Sequence, residues 1–365
     1  MWIKEIKINN FRNYNNEKIK LNKNINIFYG ENAQGKTNII EAIFLSSIGK
    51  SFRTSKDKEL IKFGEKNCNV EINYEKSDRN GKIKINIENK KNIFINEIKI
   101  KKLSELLGNI NIVIFTPDDI NILKGGPQNR RKFLDVMISQ LRPKYMYLYN
   151  MHLKTIEERN SFLKKSDKIN YDLLDIYDEK LAEYGHQIYL YRKEFIEKIK
   201  NKIKNIHYNI TGEKEEIEIK YISDCAEEEK YLDLLKEKRK MDLLKGYTSK
   251  GIHRDDLNIY LNNLLVNIYG SQGQHRTAIL SLKLAELQVI YDEIGENPIL
   301  LLDDFMSELD ESRRVRFLEN LKDTQVIITC TDKFDLENVD YTLFNVKNGE
   351  INKKFNKNIW QIKKK

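Results

Sequence analysis

Few residues in this sequence suit metal or disulfide chemistry. Only three cysteines occur in 365 residues, Cys68, Cys225 and Cys330. They lie far apart and form no C-x-x-C pair, which argues against a zinc site or a disulfide framework and fits a reducing compartment. Five histidines are present, none paired at i, i+4, so no metal-ligand cluster is evident. Long apolar runs are missing too. No window approaches the roughly eighteen apolar residues of a membrane-spanning helix, and the N-terminal WIKEIKINNF alternates apolar with charged side chains in place of a signal-peptide core. A cytoplasmic protein without a membrane partner is expected. What the chain does have is 40% hydrophobic residues, enough for at least one full core and for two lobes. Its net charge of +9 is compatible with a polyanionic partner.

Hydrophobic periodicity divides the chain. Residues 2–8, 17–21 and 25–29 alternate or cluster apolar residues as strands do. Residues 38–45 (NIIEAIFL) carry a helical period, and 70–100 returns to period two, as in a small antiparallel sheet. Another strand, 110–115, ends at TPDD. From about residue 130 to 244 the period is mostly helical. Leu174, Tyr177, Leu181, Tyr184, Ile188, Tyr191 and Phe195 make a heptad seam, ordinarily the packing stripe of a helical hairpin. After Gly246, residues 257–261 and 264–269 read as a strand hairpin. The expected organisation is one mixed α/β lobe from residues 1–125 and 245–365, interrupted by a helical lobe at 126–244.

Between the third strand and the first helix lies Gly30-Glu31-Asn32-Ala33-Gln34-Gly35-Lys36-Thr37, with the spacing G-x-x-x-x-G-K-[ST]. Its two glycines let the backbone curl so that N–H groups face a β-phosphate at a helix N-terminus. Lys36 would reach the β- and γ-phosphates of ATP, and the Thr37 hydroxyl would coordinate Mg²⁺. Further on, PILLLDD ends an apolar strand in Asp303 and Asp304. A strand apolar on both faces belongs inside a covered parallel sheet, and a carboxylate at its carboxyl end lies where such sheets bind ligands. Asp303 would hold Mg²⁺ and Asp304 would orient or deprotonate the attacking water; alternatively the pair caps the next helix. Ser271-Gln272-Gly273-Gln274 precedes another helix. From the residues alone this is either an ordinary capped start or a second phosphate surface, acting on ATP bound by a second copy of the chain.

Taken together, these stretches resemble ABC-type ATPases, and more narrowly the RecF family of SMC-like DNA repair ATPases. The resemblance rests on FRNY (11–14), GENAQGKTNIIEAI, KSFR (50–53), FTPDD (115–119), GPQNRRKFLD (126–135), GIHRDDL (251–257), SQGQHRT (271–277) and LDDFMSELD (302–310). It implies an α/β fold: a P-loop ATPase head of the ABC/SMC type, with an antiparallel β subdomain, a mainly parallel sheet with helices, and an inserted helical lobe. It implies residues 30–37 as the ATP site, Ser271 to Gln274 as a signature acting in trans, Ser307 and Asp310 in the D-loop, and Thr329 and Thr331 at the switch position. Many ABC ATPases have histidine at the switch, and a threonine brings no positive charge to the γ-phosphate. Slow hydrolysis is the expectation.

The resemblance also implies an ATP-dependent homodimer on double-stranded, gapped or junction DNA, bound without sequence preference. A nucleoid-associated role in recombinational repair, replication maintenance and the SOS response follows, with RecO and RecR as partners in RecA loading. Lys50, Arg53, Arg130, Arg131 and Lys132 are the candidate DNA phosphate contacts. The alternative is an ATPase subunit of a transport or chromosome-organising assembly. The chain departs from the family at Ala33 or Gln34 (often glycine), Ile252 (proline) and His275 (glutamine), and offers only Gln128 as a Q-loop glutamine.

Overall fold

The computed structural model describes residues 1–165, 170–305, 317, 321, 323–331 and 340–357. The chain folds into two compact units, one of residues 1–118 and 290–365 and the other of residues 119–289.

In chain order the first unit begins with β1 (Trp2–Asn9), β2 (Asn16–Lys20), β3 (Ile25–Tyr29) and α1 (Lys36–Ile48). It continues with β4 (Cys68–Glu75), β5 (Asn80–Ile87), β6 (Lys91–Ile95), β7 (Ile98–Lys99) and β8 (Ile112–Phe115). The second unit contains α2 (Ile120–Lys124), α3 (Pro127–Leu141), α4 (Pro143–Lys165), α5 (Tyr171–Ile210), β9 (Ile217–Ile222), α6 (Glu228–Lys245), β10 (Asp256–Leu261), β11 (Leu264–Leu265), α7 (Val266–Tyr269) and most of α8 (Gln272–Ile294). The chain then returns to the first unit with β12 (Ile299–Asp303), β13 (Val326–Cys330), β14 (Tyr341–Lys347) and β15 (Glu350–Lys357).

Two six-stranded sheets build the first unit. One is antiparallel, in the order β2-β1-β4-β5-β6-β7. In β5 buried isoleucines alternate with less buried lysine and asparagine, so one face packs and the other meets water. The other sheet runs β15-β14-β3-β13-β12-β8, all parallel except the edge strand β15. Here β8, β12 and β13 are buried at every residue. Continuous Ile, Val and Leu runs suit that double coverage, and α1, itself buried along most of its length, packs on this sheet. Gln325 ties the two sheets together. Its Oε1 accepts from Ile3 N at 2.7 Å, while its Nε2 donates to the carbonyls of Ile3 at 2.9 Å and Asn22 at 2.8 Å.

The second unit is a helical bundle that includes a small antiparallel sheet, β11-β10-β9. The heptad seam lies on α5: Leu174, Leu181, Ile188 and Phe195 are buried, with the tyrosines between them half-buried. Charge is buried beside this apolar stripe. Arg159 donates to Asp178 and Asp242, each at 2.8 Å, with none of the three side chains exposed. Arg192 donates to Asp135 and Asp255, each at 2.9 Å. A pair so deep is stable only with every charge answered, and removing one partner leaves an uncompensated ion.

Three expectations are corrected. The helical unit ends at residue 289, not 244, because the strand after Gly246 pairs with β9 along its whole length, from Asp256↔Ile222 to Leu261↔Ile217. β9 itself lies in a stretch whose period reads as helical. Residues 266–269 form α7 instead of extending the second hairpin strand, which stops at Leu265.

Candidate nucleotide-binding site

The carboxyl ends of β3, β12 and β13 share one edge of the parallel sheet, since these strands run the same way in consecutive order. Residues 30–37 leave that edge from β3 and enter α1, so the strand-to-helix context required of a phosphate loop is present. Gly30 has no room for a side chain: a Cβ there would lie 2.3 Å from the Val346 carbonyl oxygen. Gly35, at φ 116°, caps α1 in a conformation that L-residues avoid, and a Cβ would strike the Asn13 amide at 2.6 Å.

Side chains from elsewhere in the unit hold the loop. The Asn13 amide donates to Gln34 O at 2.8 Å, the Tyr14 hydroxyl donates to Gly35 O at 3.0 Å, and Asn38 donates to Asn13 Oδ1 at 2.8 Å. From the β14–β15 turn, Asn348 N donates to Gln34 Oε1 at 2.6 Å. Burial pushes the Tyr14 hydroxyl well above the usual tyrosine range, so it stays a donor. Lys36 is buried, its ammonium donating to the carbonyls of Gly30 at 2.7 Å and Glu31 at 2.9 Å. Glu31, Asn32 and Ala33 are exposed at the top of the loop.

Asp303 is buried at the end of β12 and accepts from Thr37 Oγ1 at 2.9 Å and Thr329 Oγ1 at 2.7 Å. Thr329 Oγ1 in turn accepts from the backbone N–H of Asp304 at 3.0 Å. Burial raises the Asp303 carboxyl above its usual range, and the two threonine hydroxyls pull it back down. The structure therefore joins four sequence-derived candidates, Thr37, Asp303, Asp304 and Thr329, in one hydrogen-bonded group. Thr331 stands exposed just past β13, and Ser307 and Asp310 fall outside the described residues.

The signature candidates sit in the second unit at the start of α8. Ser271 and Gln274 cap each other: Gln274 N donates to Ser271 Oγ at 3.2 Å, and Ser271 N donates to Gln274 Oε1 at 2.9 Å. Gln272 and Gly273 are exposed in the first turn. His275 is buried with its ring against Gly270.

The basic candidates separate. Arg130 is withdrawn as a DNA contact. Its guanidinium is buried and grips both carboxylate oxygens of Asp256, at 2.6 and 3.0 Å, and also the carbonyls of Ile122 and Gly125. Arg131 is half-buried and donates to Asp255 O at 2.8 Å. Lys50, Arg53 and Lys132 are exposed, with Arg53 also reaching Asn38 at 2.9 Å and Glu41 at 3.4 Å. Gln128 is exposed in the first turn of α3. Sequence reasoning gave no role to Asn13 or Tyr14, although FRNY was singled out; their contacts to the loop depend on the fold bringing residues 13–14 to residues 34–35.

A P-loop at the edge of a parallel sheet, a threonine and an aspartate sharing a hydrogen bond beneath it, and a flanking antiparallel sheet define an ATPase head of the ABC/SMC type. Residues 2–353 match the model of the RecF/RecN/SMC N terminal domain, and within that family the chain belongs to the RecF proteins. It is 46% identical over 366 residues to the DNA replication and repair protein RecF of Clostridium tetani, covering 96% of this chain and 99% of that one. The RecF of Clostridium botulinum is 45% identical over 363 residues, covering 96% and 99%. Among solved structures, the recombination mediator protein RecF-ATPrS in the RecFOR pathway superposes with a TM-score of 0.91 at 41% identity, covering 96% of this chain and 98% of that one. An Smc head bound to the C-winged helix domain of ScpA shares the fold, with a TM-score of 0.58 at 16% identity and full coverage of both chains.

Proposed function

We propose that this protein acts in DNA replication and recombinational repair as an ATP-dependent DNA-binding protein that hydrolyses ATP slowly. Membership in the RecF proteins favours this reading over a transport or chromosome-organising subunit. The observation that carries it is the Thr37–Asp303–Thr329 group beneath an intact phosphate loop.

ATP binds with its phosphates against residues 30–37, and Lys36 exchanges its carbonyl partners for phosphate oxygens. The Thr37 hydroxyl and the Asp303 carboxylate are hard oxygen donors within hydrogen-bond distance of each other, which suits Mg²⁺. When bound, that ion neutralises charge on the β- and γ-phosphates. Asp304 orients or deprotonates the attacking water. Thr329 holds Asp303 and the Asp304 backbone in place but brings no positive charge to the γ-phosphate, which keeps turnover low. The signature, Ser271 to Gln274, completes the site of a second subunit, and Ser307 and Asp310 take the D-loop role. Two chains thus close on ATP over double-stranded, gapped or junction DNA and reopen on hydrolysis. Lys50, Arg53 and Lys132 supply phosphate contacts, with Arg131 a lesser one. RecR and RecO are the protein partners in RecA loading, and the protein works in the cytoplasm at the nucleoid.

Analytical ultracentrifugation of wild-type and Lys36→Met protein, with and without ATP, Mg²⁺ and a short duplex, tests this reading. The expected result is an ATP-dependent dimer that carries DNA and is lost in the variant. A wild-type monomer indifferent to ATP would overturn it.

A further inference from the structure

The end of α5 and the loop after it bear directly on the signature helix. His207, in the last turn of α5, is fully buried, and its Nδ1 lies 2.9 Å from Ser281 Oγ on α8. The Ser281 hydroxyl donates to Thr277 O at 2.8 Å, so the ring N–H donates to the serine oxygen. The other ring nitrogen stands 3.4 Å from Glu215 Oε2. The second oxygen of Glu215 accepts from the side-chain amide of Gln274 at 2.9 Å. That contact sets which way the Gln274 amide faces: with its N–H on Glu215, its carbonyl turns back to cap Ser271 N.

The loop that presents Glu215 is fixed at both ends. Glu213, at φ 66°, closes the end of α5 by donating from N to Tyr208 O at 2.8 Å. Glu216 N donates to Asn262 Oδ1 at 2.9 Å, and Asn262 N donates to Glu216 O at 2.9 Å. Burial holds His207 below the usual histidine range against the pull of Glu215. At neutral pH the ring is therefore an uncharged neighbour of Glu215 and not a counter-charge, its hydrogen bond going to Ser281.

The geometry points to Glu215 as a positioning residue for the signature: it orients Gln274, and through the reciprocal Gln274–Ser271 cap the first turn of α8, for the phosphate of a nucleotide on a second subunit. This inference rests on the two-chain reading above and adds to it a residue from outside the known motifs. Glu215 is neither part of residues 30–37 nor of the Thr37–Asp303–Thr329 group. Its loss therefore acts on the neighbouring subunit's site and leaves its own phosphate loop intact.

Glu215 is about a fifth exposed and borders a cavity lined also by Lys204, Tyr208 and Asn263, so substitution disturbs no packed core. The test compares full-length wild type, Glu215→Ala and Glu215→Gln for nucleotide affinity of the dilute subunit, ATP-dependent dimerisation and turnover. Glu215→Ala should bind nucleotide as the wild type does, with dimerisation and turnover reduced about tenfold, the scale of one hydrogen bond to a charged group. Glu215→Gln keeps a carbonyl acceptor for Gln274 and should stay close to wild type. Mixing Glu215→Ala with Lys36→Ala chains should restore turnover, because one of the two composite sites then joins an intact phosphate loop to an intact signature. An unaffected Glu215→Ala beside an ATP-dimerising wild type overturns this inference alone, as does a mixture without recovery. A wild type that never dimerises on ATP overturns the two-chain reading and this inference together.

Discussion

At the scale of single residues, the phosphate loop carries one local conflict. Ala33 sits at φ 64°, in the left-handed region that favours glycine. Its side chain is exposed, so no packing compensates for the strain. Ala33→Gly should therefore raise the stability of the nucleotide-free protein by about 0.5–1 kcal/mol, read from thermal melting. A lower melting temperature would show that the turn is held by contacts that outweigh the strain. Arg130 illustrates the opposite case, a residue whose chemistry misleads. An arginine in a basic run reads as a phosphate ligand until a carboxylate is found on it, and Asp256 lies 126 positions away. The three thiols are all buried, and burial pushes Cys68 up to about 12.

At the scale of elements, the turn from Gly251 to Asp256 gathers polar groups around the buried Asp255. His253 donates from Nε2 to Thr248 O at 3.0 Å. Burial, helped by Arg254 and Arg131, pushes it down to about 4. A histidine depressed in the folded state stays neutral there while the unfolded chain takes up a proton below about pH 6.5. Stability is therefore lost as pH falls from about 6.5 towards 4, by about 3 kcal/mol from this group across the window. His152, buried with its ring centroid 6.1 Å away, is depressed in the same direction. Urea titrations at pH 7 and pH 5 should show wild type losing more stability than His253→Gln, which keeps a donor for Thr248. Equal losses in the two proteins would rule this out. The heptad seam on α5 shows what periodicity captures at this scale and what it omits. The leucines, Ile188 and Phe195 are buried as their spacing requires, but Asp178 and Arg192 are buried beside them, and no apolar pattern announces a buried charge.

At the scale of the molecule, the two units differ in how the chain enters them. Residues 119–289 are one continuous segment, whereas the other unit is built from both ends of the chain. In its parallel sheet β13 lies between β3 and β12, and among the described residues β8 pairs only with β12. Residues 1–118 alone would therefore leave β3 and β8 without neighbours and their backbone groups unpaired. Expressed separately, residues 119–289 should unfold cooperatively with a helix-rich circular dichroism spectrum, while residues 1–118 should show no cooperative transition. A cooperative fold in the latter fragment would contradict this account of the sheet.

The sequence alone determined the phosphate loop, the acidic strand end, the antiparallel subdomain and the helical insertion, because each is written in local spacing: glycines that free a turn, carboxylates closing an apolar run, periods of two or of three to four. Tertiary structure alone decided where the helical unit ends, which arginines are structural, and that Asn13, Tyr14 and Glu215 stand beside the residues that matter. Those facts depend on pairings between distant positions, such as β9 with β10 and Glu215 with Gln274. A hydrogen bond is set by where the backbone delivers its two ends, and no local pattern records that.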